Sequence, residues 1–237
     1  MLHVETPNLL VSGLFGVVGV AGFLTWHHHL MTDWHADYLG SRIYTGDEIC
    51  ARPCPVPANP GVYGWWFRKI PGNIATGDCK TREHDESTLT LLYTGISPSK
   101  PPGNGRPPSK QNIQRRIRAN HFGGNAAGST LRLTLGCLLA DELGTELRRV
   151  GSGKRMTFHT GETVLTEWMK QNALVSWVVH PEPWELEDEL IASLDVPLNL
   201  QGNRHNTFHP ELSALRVRAK RGAEELPVLP NLRPCAL

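Results

Sequence analysis

A carboxylate inside an apolar stripe is the first feature of this sequence that asks for chemistry. On a helix over 183–194, at about 100° per residue, Trp184, Leu190, Ile191 and Leu194 share one arc. Glu187 lies at the centre of that arc, while Glu185, Asp188 and Glu189 project elsewhere. A carboxylate so placed needs a cation, a metal ion or several donors; an edge position or an arginine partner is the ordinary alternative. Arg116 poses the same question beside Ile113 and Ile117, with Arg115 and Arg118 pointing away. Its planar guanidinium can grip a phosphate oxygen or serve as a structural ion-pair partner. Tyr63 closes the triplet GVY (61–63) and Tyr93 opens YTG (93–95). Taken singly, a phenol on a strand is a half-buried packing residue.

The elements that must position these groups follow from periodicity. Aromatic and β-branched runs predict strands over 61–67, 89–96 and 174–180. Helices are expected over 110–121, with Ser109 as cap, and over 129–143, 162–172, 183–194 and 210–221. Pro183 is tolerated in the first turn of its helix. ELRRV-GSG-KRMTF (146–158) reads as a hairpin with a basic exterior. Residues 50–60 form an extended lead-in with four prolines, and 71–88 read as polar and irregular.

The order of GVY, YTG, Arg116 on the next helix, Glu187 on a later helix and Asn199 in PLNLQGN resembles the GIY-YIG nuclease superfamily. The resemblance runs from about Arg52 to Arg221 and extends to the spacing of Glu187, Leu190-Ile191 and Asn199, which is that of excision-repair members. Thr94 replaces the namesake isoleucine, and insertions separate the two tyrosines and occupy about 123–172. The resemblance implies an α+β fold, a three-stranded antiparallel sheet flanked by helices, here with helical and hairpin insertions. It implies a nuclease domain over 51–222, between an extension (1–50) and a tail (223–237). It also implies hydrolysis of DNA phosphodiesters with one Mg²⁺ or Mn²⁺ per site. Glu187 would ligate the cation and Arg116 would stabilise the pentacovalent phosphorane. Tyr63 would help activate water, Tyr93 would position water or phosphate, and Asn199 would order the site. A neutral phenol is a poor base at its ordinary pKa near ~10, so Tyr63 would need help from the metal or Arg116.

The net charge of +1 conceals strong local blocks. Residues 106–155 carry ten Lys/Arg against three acids, 160–195 one lysine against eight acids, and 200–221 five basic residues against one acid. This suits an acidic site within a basic rim, although solvated helix faces give similar blocks. Arg115, Arg118, Arg132, Arg148, Arg149, Lys154 and Arg155, with Arg204, His205, Arg216 and Arg218, are the candidate DNA contacts, joined by Lys220 and Arg221. His121 lies on the Arg116 helix at an angle that leaves its role open.

Leu9–Trp26 is an uncharged apolar run at the lower limit of a bilayer span. Three readings stand for it: a weak membrane anchor, a buried or disordered extension, or a natural start at Met31. Five irregularly spaced cysteines argue for reduced thiols and a cytoplasmic setting rather than a disulfide framework. GSGK (151–154) lacks the other residues of a P-loop, and GVVGVAG (16–22) lacks GxG, so no nucleotide cofactor is expected. The rival functions are a nucleic-acid-binding module of the same fold without useful turnover, and a membrane-tethered regulatory protein. Oligomeric state is left open.

Overall fold

A computed structural model describes residues 33–104 and 109–232. The apolar run 9–26 lies outside the described residues. From Trp34 onward the described chain forms one compact unit. Its elements in chain order are α1 (Trp34–Gly40), β1 (Ile43–Tyr44), α2 (Gly46–Cys50), β2 (Gly61–Phe67), β3 (Thr81–His84) and β4 (Ser87–Ser97). Then come α3 (Arg115–Phe122), α4 (Thr130–Leu138), α5 (Ala140–Leu143), β5 (Arg148–Val150) and β6 (Arg155–Thr157). The last are α6 (Gly161–Asn172), β7 (Ala173–Val179), α7 (Pro183–Ser193) and α8 (His209–Glu225). Among the described residues, no helix is long and apolar enough to cross a membrane.

The main sheet is antiparallel in the order β1-β7-β2-β4-β3. The expected three strands are its centre, and the expectation of three is corrected: β3 makes a fourth, and the two-residue β1 edges the sheet. Strand β3 carries no apolar alternation because it is a half-exposed edge. The turn that joins it to β4 is made by Asp85 and Glu86 at positive φ. Tight hairpins ordinarily signal such a turn with Gly or Asn, and neither stands at 85 or 86.

Both faces of the sheet are covered, which is why β2 reads as an unbroken apolar run. Tyr63, Trp65 and Phe67 enter one core with Ile117, Phe122, Leu131 and Leu165. Val62 and Trp66 enter the other with Tyr38, Leu186 and Leu190. The register slips between Trp65 and Trp66, leaving Leu92 of β4 as the extra residue. This bulge turns Leu92 to the same side as Tyr93, and Tyr93, two residues from the Gly95 that pairs with Tyr63, stands diagonally across from Tyr63 on one face.

The insertion between Gly123 and Asn172 contains α4, α5, the β5–β6 hairpin and α6. The helix expected over 129–143 breaks at Leu139, giving α4 and α5. Arg132 is completely buried and pins the insertion to α3: its guanidinium donates to the Glu162 carboxylate at 2.6 and 3.0 Å and to the carbonyl of His121 at 2.9 Å. Arg149 donates to the carbonyls of Ala223 and Leu226, and Arg148 to that of Pro227. These three arginines, expected at a DNA surface, are engaged in holding the fold together.

Candidate active site

The two motif triplets meet side by side. Gly61 pairs with Ser97, and Tyr63 pairs with Gly95. A Cβ at Gly61 would stand 2.3 Å from the carbonyl oxygen of Val178 on β7. A Cβ at Gly95 would stand 2.7 Å from the Tyr63 hydroxyl and 2.9 Å from the Tyr93 ring. The glycine of YTG therefore makes room for both phenols. Gly95→Ala is expected to displace the Tyr63 hydroxyl and cut cleavage by about 10²-fold, the cost of a misplaced reacting group. The check is single-turnover cleavage together with thermal melting. An active, well-folded variant would show that the phenol's position does not matter.

The Tyr63 side chain is buried, and its hydroxyl is held by two groups on α3. Nε2 of His121 lies 2.9 Å away, and Nε of Arg116 donates to the hydroxyl at 3.4 Å. Nδ1 of His121 is 2.7 Å from Oγ of Ser129, which also caps α4 by accepting from the amide of Arg132. Sequence reasoning left His121 unplaced for a specific reason. Residues five apart on an α-helix diverge by about 140°. However, α3 is a π-helix, with Gly123 N–H bonded to Arg118 C=O at 2.9 Å, and it brings Arg116 and His121 to the same phenol.

Burial sets the protonation states. It drives His121 well below the usual histidine range, helped by the charges of Arg116 and Arg132, so the imidazole is neutral at pH 7. Burial also raises Tyr63 well above 10, against the opposing pull of Arg116. Tyr93 is raised mainly by burial, eased by the Thr130 hydroxyl.

Glu187, Tyr93 and Asn199 line one cleft of about 570 Å³. The apolar stripe of α7 is formed by Leu186, Leu190 and Ile191, and Glu187 stands half-buried within that arc, between Leu190 and Ile191. Desolvation, with a smaller push from Asp188, raises its carboxyl from 4.5 to about 7, against the Arg116 charge. Glu187 is within electrostatic reach of Tyr63, Tyr93 and Arg116, so the four groups share one neighbourhood. Asn199 is buried and faces the backbone: its carboxamide accepts from Thr94 N–H at 2.9 Å and donates to Thr94 C=O at 2.8 Å. These two bonds lock the YTG strand in place.

Of the remaining basic candidates, Arg115, Lys154, Arg155, Arg204, His205 and Arg218 are exposed. Arg118 donates to the Cys50 carbonyl, and Arg216 lines the cleft with Glu187. No group of three His, Cys, Asp or Glu side chains converges among the described residues.

Residues 61–218 match the GIY-YIG catalytic domain. No curated protein and no solved structure matches the chain. With both motif triplets, the arginine helix and the glutamate helix inside the matched span, the chain belongs to the GIY-YIG nuclease superfamily.

Proposed function

We propose that the protein is a metal-dependent endonuclease that hydrolyses DNA phosphodiesters at this single site. The observation that carries the reading is the Arg116–Tyr63–His121 network set beside a cleft that holds a half-buried carboxylate. Nucleases of this family are generally metal-dependent, and the donor set fits one hard cation. Mg²⁺ or Mn²⁺ takes one or two carboxylates and fills its other positions with water and substrate phosphate. Glu187 would hold it, with Asp188 adjacent in the cleft lining. When bound, such an ion supplies Lewis-acid stabilisation of phosphoryl charge and of the leaving alkoxide.

The chain's own residues account for the rest. Arg116 donates to Tyr63 and to the Gly128 carbonyl, which fixes the plane of its guanidinium. A guanidinium so preorganised stabilises charge growing on the phosphoryl oxygens. The Tyr63 phenol is too weak an acid to work as a free phenolate. In the tautomer whose Nδ1–H is donated to Ser129, neutral Nε2 of His121 accepts a hydrogen bond from the phenol and holds its oxygen in position to orient the attacking water. Tyr93 faces the cleft, where it can orient water or phosphate.

The test is nicking of supercoiled plasmid by the full chain in Mg²⁺, compared with EDTA and with Tyr63→Phe and His121→Ala. Metal-dependent nicking is expected, reduced about 10²-fold or more in either variant, the scale of a lost acid–base group. A chain that binds DNA but never nicks it would be a binding module of the same fold.

A further inference from the structure

The Glu187 cleft adjoins a second cleft of about 540 Å³, and Thr130 and Arg216 line both. Arg116, Lys154, Arg155, Arg216 and Lys220 contribute to the wall of the second cleft, and no Asp or Glu does. Among the described residues none of these five is in an ion pair. Arg216 is half-buried; burial weakens its hold on its proton, and only Cys137 and Tyr93, not a carboxylate, act in the opposite sense. A cation withdrawn from water without a counter-charge is costly, and an incoming anion removes that cost.

The two basic walls are also fixed relative to each other. The hairpin that carries Lys154 and Arg155 is tied to the end of α8 by the Arg149 bonds to Ala223 and Leu226. Leu229 beyond α8 bonds to the hairpin backbone at Arg149 and Gly151, and Asn231 accepts from Arg155. The spacing of the charges is therefore built in before any ligand arrives, which lowers the ordering cost of binding.

We propose that α8 and the inserted β5–β6 hairpin form the track by which the DNA strand leaves the active site, with Arg216, Lys220, Lys154 and Arg155 contacting successive phosphates beyond the scissile one. This inference rests on the nuclease reading. Such contacts confer affinity and salt dependence rather than base specificity.

The probes are a 30-base-pair duplex and a 30-nucleotide single strand, titrated by fluorescence anisotropy with the full chain in EDTA. Lys154→Glu/Arg155→Glu alters exposed side chains and is expected to weaken binding at least tenfold near 0.1 M salt. Loss of two phosphate contacts should also flatten the dependence of log Kd on log salt by about 1.4 to 1.8. Arg216→Gln is expected to weaken binding several-fold with a slope change of about 1 or less. Lys80→Glu, on the lead-in to β3, serves as a charge control and should stay within twofold of wild type. Unchanged affinity and slope in the hairpin variant, or equal losses in the Lys80 control, would overturn the track. Wild-type protein that binds neither probe would overturn both the track and the nuclease reading. Binding that depends on the hairpin without metal-dependent nicking would support the track and sink only the chemistry.

Discussion

Glu187→Gln is expected to abolish metal-dependent cleavage, by about 10³-fold or more, while leaving DNA affinity in EDTA within a few-fold of wild type. The amide keeps the shape of the side chain and removes the charge that would hold the cation. The same substitution has a second signature. The folded chain raises the Glu187 carboxyl from 4.5 to about 7, so between those pH values the folded state holds a proton that the unfolded state has lost. Its contribution to stability is intact below about 4.5 and is lost as pH rises toward 7, leaving a penalty on the order of 3 kcal/mol above that. In EDTA at pH 8, Glu187→Gln should therefore melt several degrees above wild type, and the difference should vanish near pH 4. Mn²⁺ should raise the melting temperature of wild type and leave that of the variant unchanged. A variant that melts no higher than wild type at pH 8 would show that the carboxylate is not the strained group described.

The largest expected loss of stability belongs to Arg132→Ala. Its guanidinium is fully buried against a Glu162 carboxylate that is itself 13% exposed, and its other donors reach the carbonyls of Glu162 and His121 and the hydroxyl of Thr166. Removing one partner of a buried pair strands the other charge, at a cost of about 3–5 kcal/mol. Arg132→Ala/Glu162→Gln should recover part of that loss, because the stranded charge is gone. Chemical denaturation of the three proteins makes the comparison. A loss below about 1 kcal/mol, with weakened DNA binding instead, would return Arg132 to the surface role suggested by its charge.

Arg132 also shows where local pattern stops. It stands in TLRLTLGCL, where every residue from Leu131 to Cys137 is buried, so no polar face marked it as internal or external. Its partner Glu162 is 30 residues away, and no local rule links them. The three central strands, in contrast, were legible because β2 is buried along its whole length and β4 from Leu89 to Gly95, and both are rich in apolar, aromatic and β-branched residues. The motif tyrosines, Arg116 and Glu187 were legible through their order. His121 was not, because a π-helix changes which residues share a face and composition does not announce one. The segment Trp34–Cys50 was equally silent: β1 offers two residues, and its pairing with β7 spans more than 130 positions. Glu187 stood out as a carboxylate within the α7 stripe, but its nearness to Tyr63, Tyr93 and Arg116 depends on how the sheet meets the helices.

If four side chains surround one metal-bound phosphodiester, metal occupancy and cleavage must rise and fall together. Mn²⁺ titrated into the full chain with plasmid present can be followed by electron paramagnetic resonance and by nicking in the same samples. One bound Mn²⁺ per chain is expected, with nicking that rises with its occupancy and the loss of both in Glu187→Gln. Nicking that persists in Glu187→Gln, or that proceeds at full rate in EDTA, would contradict it.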